Sequence, residues 1–127
     1  MSNTQSSSTF TKLSAAAVGL AGVVQAVLGG IAAFGYEPIE GTHGIVGMVT
    51  FVLTILATLA AWLDVKRTGN KGLLMHAAGM AGLAVVQIAL GELAVTTFHI
   101  TLGVAFLAGA VALAVLAFRG PKAAPAA

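Results

Sequence analysis

The chain is 127 residues long, 58% hydrophobic and only 8% charged, with a mean hydropathy of +1.00. A soluble domain carries about a quarter charged residues, so this chain cannot cover a globular surface with polar groups. A soluble enzyme, a nucleic-acid module and a disordered chain are excluded, and the absence of cysteine removes disulfides, thiolate metal sites and thiol catalysis.

Residues 1–11 are rich in Ser and Thr and read as a disordered tail. The first apolar stretch, 13–34, exceeds the roughly 7–15 residues of a signal-peptide core and reads as a retained helix. Further apolar stretches run over 45–63, 73–95 and 100–118, the third carrying Glu92 near its end. Runs of about 19–23 residues give roughly 28–35 Å of helix, the thickness of a bilayer core. Backbone groups in lipid must be satisfied internally, so these are helices. Trp62 and the following Asp64 read as an interfacial anchor at the inner end of the second helix. Residues 120–127, rich in Pro and Ala, read as a second tail, leaving one four-helix domain over 12–119.

The charges orient these spans. Lys12, Lys66, Arg67, Lys71, Arg119 and Lys122 all fall at one end, and Glu37, Glu40 and Glu92 at the other. Cations collect on the cytoplasmic side of membrane proteins, which places both termini in the cytoplasm of a multi-pass cell-membrane protein. Its first partner is the lipid bilayer. A homodimer or a larger respiratory membrane complex is a further expectation, and no nucleic acid is expected.

An internal repeat is visible. Val23-Val24-Gln25-Ala26-Val27-Leu28-Gly29 and Val85-Val86-Gln87-Ile88-Ala89-Leu90-Gly91 share V-V-Q-x-x-L-G, and each is followed by His-x-x-x-Gly, at His43–Gly47 and His99–Gly103. The chain holds only three histidines and three glutamines, so these coincidences are informative. They predict an all-α, up-down-up-down four-helix membrane bundle built from a duplicated helical hairpin, with a pseudo-twofold axis along the membrane normal. The first outer connection is six residues longer than the second, and Tyr36, Glu37 and Pro38 are expected in that longer loop. Gly19, Gly22, Gly29, Gly79, Gly82, Ala110 and Ala114 are expected to let helices approach closely.

His43 and His99 open the second and fourth helices at the outer end and, by the repeat, face each other. Gly47 and Gly103 lie one turn deeper on the same stripes, which leaves room for a planar group beneath each imidazole. Neutral imidazole is an axial ligand for haem iron. The pair, with its glycines, is therefore a candidate bis-histidine site for haem b, in electron transfer or haem handling. Two unconnected interfacial histidines are the plainer alternative, in a cofactor-free structural or accessory subunit. A zinc site wants three or four convergent ligands, and only His43, His99, Glu40 and Glu92 share that side. His76, near the inner end of the third helix, is too distant to join them and reads as an interfacial or hydrogen-bonded side chain.

Glu40-Gly41-Thr42-His43 is a Glu-x-x-His at the start of the second helix. With Gln87-x-x-Leu90-Gly91 in the third helix and His99 opening the fourth, the chain over about 13–118 resembles one four-helix half of haem A synthase. It is also similar to small four-helix membrane proteins with His in helices 2 and 4. The resemblance implies that His43 and His99 are haem ligands and that Glu40 is the acid implicated in oxidation. That family usually has Arg after the first His, where this chain has Gly44, and the outer-loop cysteines common in it are absent. The haem-binding frame thus carries over more readily than the catalysis. A half-size haem A synthase acting as a homodimer is the enzymatic alternative, with Glu40 near the start of the second helix and Thr42 as its N-cap.

Overall fold

A computed structural model describes residues 6–35 and 38–119; residues 1–5, Tyr36, Glu37 and residues 120–127, with Lys122, lie outside the described residues. The fold consists of α1 (Thr9–Ala33), α2 (Pro38–Thr68), α3 (Lys71–Glu92) and α4 (Thr96–Arg119). All four are long and apolar enough to cross a membrane. Large apolar side chains such as Leu20, Val52, Trp62 and Val104 stay exposed on the outside, where lipid is the solvent. The chain is an all-α, four-helix membrane protein. α1 and α3 each pack against both α2 and α4, whereas the backbones of α1 and α3, and those of α2 and α4, face each other across the bundle axis without approaching.

The helix ends follow from local chemistry. Ser8 caps α1, its hydroxyl accepting from Thr11 N at 3.1 Å, and Asn70 caps α3, its side chain accepting from Leu73 N at 3.1 Å. Gly35 and Gly69 follow α1 and α2 with φ of 85° and 68°, the left-handed conformation that lets a final turn close. After α3 the same position falls to Ala94, at φ 53°, where a Cβ costs roughly 1–2 kcal/mol. Ala94→Gly is expected to raise stability by about 1 kcal/mol, read from denaturant unfolding in detergent micelles; an unchanged midpoint would show that the turn carries no such strain.

The six extra residues of the first outer connection do not make a long loop. α1 runs four residues past Gly29 while α3 runs one past Gly91, and α2 starts five residues before His43 while α4 starts three before His99. Most of the insertion is helical. Pro38 is the first residue of α2, where its fixed φ suits a helix start and its missing N–H leaves nothing unsatisfied. α1 likewise begins at Thr9, within the segment expected to be a tail.

The duplication extends to packing. Thr11, Ala15, Val18, Gly19 and Gly22 are buried in α1, and the residues 62 positions on, Leu73, Ala77, Met80, Ala81 and Ala84, are the buried residues of α3. Phe106, Ala110, Leu113 and Ala117 are buried in α4, and Thr50, Thr54, Ala57 and Ala61, 56 positions earlier, are buried in α2. The two hairpins therefore present the same faces to each other although the side chains differ. One close approach joins the two hairpins. A Cβ on Gly22 would stand 2.9 Å from Ala110 Cβ, and one on Gly19 3.2 Å from Ala114 Cβ, so these glycines and alanines join α1 to α4. Gly79 and Gly82, expected to do similar work, have no neighbour within 4 Å of a Cβ and face outward.

Among the described residues, the side-chain hydrogen bonds between helices lie within hairpins. Asp64 is not an exposed anchor: it is 6% exposed, and its Oδ2 accepts from Ser8 N and Thr11 Oγ1, each at 2.7 Å. A carboxylate at the last turns of α2 thus meets the positive first turn of α1, while its Oδ1 accepts from Arg67 at 2.9 Å. Trp62 remains half-exposed, with Lys66 Nζ 5.7 Å from its ring centre. In the second hairpin His76 Nε2 donates to Gly109 O at 2.8 Å. A Cβ on Gly109 would stand 2.6 Å from Met80 Sδ, so the missing side chain admits the methionine.

Candidate functional site

The core packs one end of the bundle and reaches the floor of a cavity through Ala84 and Phe106. Ala15, Val18, Ala57, Ala61, Leu73, Ala77, Met80, Leu113 and Ala117 pack near the chain termini. Toward the other end the inward residues shrink to Gly22, Ala26, Gly29 and Gly30 on α1 and to Gly44 and Gly47 on α2, and they surround a cavity of about 1000 Å³. That is the upper end of the roughly 300–1,000 Å³ of small-molecule sites. Ala84 and Gln87 of α3 and Gly103, Val104 and Phe106 of α4 complete its walls.

His43 and His99 both line this cavity and are half-buried. Their ring centroids are 5.9 Å apart and their planes lie at 80°. The repeat explains the meeting, because each imidazole is seated by its own hairpin. A Cβ on Gly29 would be 3.0 Å from His43 Cε1, and one on Gly91 would be 3.4 Å from His99 Cε1. Reciprocally, a Cβ on Gly47 would be 3.0 Å from Gln25 Nε2, and one on Gly103 would be 3.8 Å from Gln87 Nε2. The V-V-Q-x-x-L-G and His-x-x-x-Gly motifs are thus two halves of one interlock: the first glycine seats the histidine and the second seats the glutamine.

His99 Nδ1 lies 3.0 Å from the Gln87 carbonyl oxygen. A carbonyl can only accept, so Nδ1 donates; in a neutral ring this leaves the lone pair on Nε2, the arrangement of a metal-binding imidazole. The Gln25 backbone lies beside His43 in the equivalent place, but the geometry there falls short of a hydrogen bond and His43 Nδ1 is buried without a partner. Gln25 Oε1 and Gln87 Nε2 are also buried and unpartnered. The sequence marked these glutamines only as tokens of the repeat; their position one turn before each seating glycine was the signal that they share the site.

Glu40 is exposed and lines the cavity mouth together with Glu92. It lies in the first turn of α2, and because that helix starts at Pro38, Thr42 is inside the helix and does not cap it. Among the described residues no Lys or Arg shares this end, so the rim is negative. His76, bonded to Gly109, takes no part. No group of three or more His, Asp or Glu that could hold a metal occurs among the described residues, so the chain's own donors converge as a pair. A pair of axial imidazoles suits a metal whose remaining positions are supplied by a macrocycle. Comparison with protein-family models, curated proteins and solved structures finds no match.

Proposed function

We propose that the protein binds one b-type haem between its two hairpins, with His43 and His99 as axial ligands, and serves electron transfer or haem handling. The observation that carries this reading is the pair of imidazoles 5.9 Å apart at 80° on the wall of a cavity of about 1000 Å³. Bound iron supplies one-electron redox chemistry; everything else is supplied by the chain. Gln87 O fixes the tautomer of His99. Gly47 and Gly103 make room for the Gln25 and Gln87 side chains, and Phe106 and Thr50 line the deeper wall. With no Lys or Arg at this end among the described residues, no side-chain cation there would pair with a haem carboxylate. The charges of Glu40 and Glu92 favour the oxidised, more positive state. The purified protein, expressed with ample haem supply, is expected to show a split α/β spectrum and a Soret shift on dithionite reduction. A spectrum without haem bands would return the chain to the structural-subunit reading.

Oxidative catalysis by Glu40 is the narrower alternative, favoured by the position of this carboxylate at the cavity mouth. Under both readings Glu40→Gln keeps the haem spectrum. Extracted haem containing oxidised haem O products in wild type, and none in the variant, would support the enzyme.

The same proposal includes orientation. Lys12, Lys66, Arg67, Lys71 and Arg119 lie at the packed end, so that end and both termini face the cytoplasm, with the cavity toward the outer face. A single cysteine introduced beside Arg67 is expected to resist impermeant thiol reagents in intact cells, whereas one at Glu37 reacts. The reverse pattern overturns the orientation.

A further inference from the structure

The two histidines, equivalent by the repeat, are held unequally. His99 Nδ1 is bonded to Gln87 O at 3.0 Å, whereas His43 Nδ1 stands beside the Gln25 backbone without closing a bond of that geometry. A ligating imidazole whose second nitrogen donates a hydrogen bond is oriented and made more basic, and loss of that bond weakens metal affinity.

The helical supports differ independently. His43 is flanked by Gly41 and Gly44, where the repeat places Thr97 and Ile100 around His99; Gly47 and Gly103, one turn on, match. Glycine is the poorest helix former after proline. Cβ atoms at Gly41 and Gly44 would meet nothing within 4 Å, so no neighbouring element packs onto these two positions. The first turns of α2 are therefore the softer of the two mounts.

We infer that His43 is the exchangeable ligand and His99 the fixed one, so that the iron opens a position on the α2 side to a small neutral ligand of the carbon monoxide or free imidazole class. This rests on the haem reading above. Release of His43 breaks no side-chain hydrogen bond in the structure, whereas release of His99 also frees its bond to Gln87 O.

The test uses the full-length haem protein, reduced and titrated with carbon monoxide, together with His43→Ala, His99→Ala and Gly41→Ala. Wild type is expected to bind carbon monoxide with a sharpened, shifted Soret band. His43→Ala should retain haem in five-coordinate form and bind carbon monoxide without ligand displacement, and His99→Ala should lose haem. Gly41→Ala stiffens α2 without touching the ring and should lower carbon monoxide affinity roughly fivefold. A six-coordinate wild type that ignores carbon monoxide, haem retained by His99→Ala but lost from His43→Ala, or unchanged affinity in Gly41→Ala would each overturn the assignment. Wild type without haem would instead overturn the reading beneath it.

Discussion

Asp64→Ala is expected to lower the unfolding free energy by about 2–4 kcal/mol. The carboxylate accepts two short bonds from the start of α1, at 2.7 Å from Ser8 N and 2.7 Å from Thr11 Oγ1. Hydrogen bonds to a charged group contribute about 1.5–3 kcal/mol each, and a buried donor left without its acceptor is itself costly. Thr11 is 2% exposed, so water cannot readily replace the lost oxygen. Arg67 adds little, because its side chain is 47% exposed and such pairs are screened by solvent. Asp64→Asn keeps an acceptor oxygen without the charge and should lose about half as much. The measurement is the folded fraction in mixed micelles as a denaturing detergent is titrated. A wild-type midpoint for Asp64→Ala would show that the tie between α1 and α2 is dispensable.

The second large effect belongs to Gly22. A leucine there must fit where even a Cβ would stand 2.9 Å from Ala110 Cβ, and Ala110 is fully buried with no flexible end to move aside. Gly22→Leu is expected to cost more than about 3 kcal/mol by forcing α1 and α4 apart. Gly79→Leu, the same change at a site with no neighbour within 4 Å, should be neutral or stabilising by up to about 1 kcal/mol, since leucine is the better helix former. Both follow from the detergent titration, and equal losses at the two sites would show that the Gly–Ala seam is not what holds the hairpins together.

The spans were legible because hydropathy alone defines them in a bilayer. The facing histidines were legible because polar residues are rare here, so a spaced Gln, Gly and His repeated twice carries information. Helix starts were less so: Thr9–Lys12 and Pro38–Gly44 are polar or glycine-rich, and an apolar count stops short of them although the backbone does not. Rotation about each helix axis was the harder problem. In water the buried face of a helix is its apolar face, but in lipid both faces are apolar. The sequence therefore could not separate Gly22, pressed against Ala110, from Gly79, facing outward. Asp64 was misread for a related reason. A carboxylate at a helix end ordinarily faces water, and only the juxtaposition with the first turn of α1 turns it into a tether.

Because the polar ties Thr11–Asp64 and His76–Gly109 each close within one hairpin, the molecule has a natural order of assembly. α1 and α2 can dock as soon as both have left the ribosome, joined by Asp64. The face of α1 carrying Gly19 and Gly22 must then wait for Ala110 and Ala114, about 90 residues downstream in the chain; such long-range closure is the slow step in a folding chain. Among the described residues no side-chain hydrogen bond joins the two hairpins, so the final closure brings His43 and His99 together through packing.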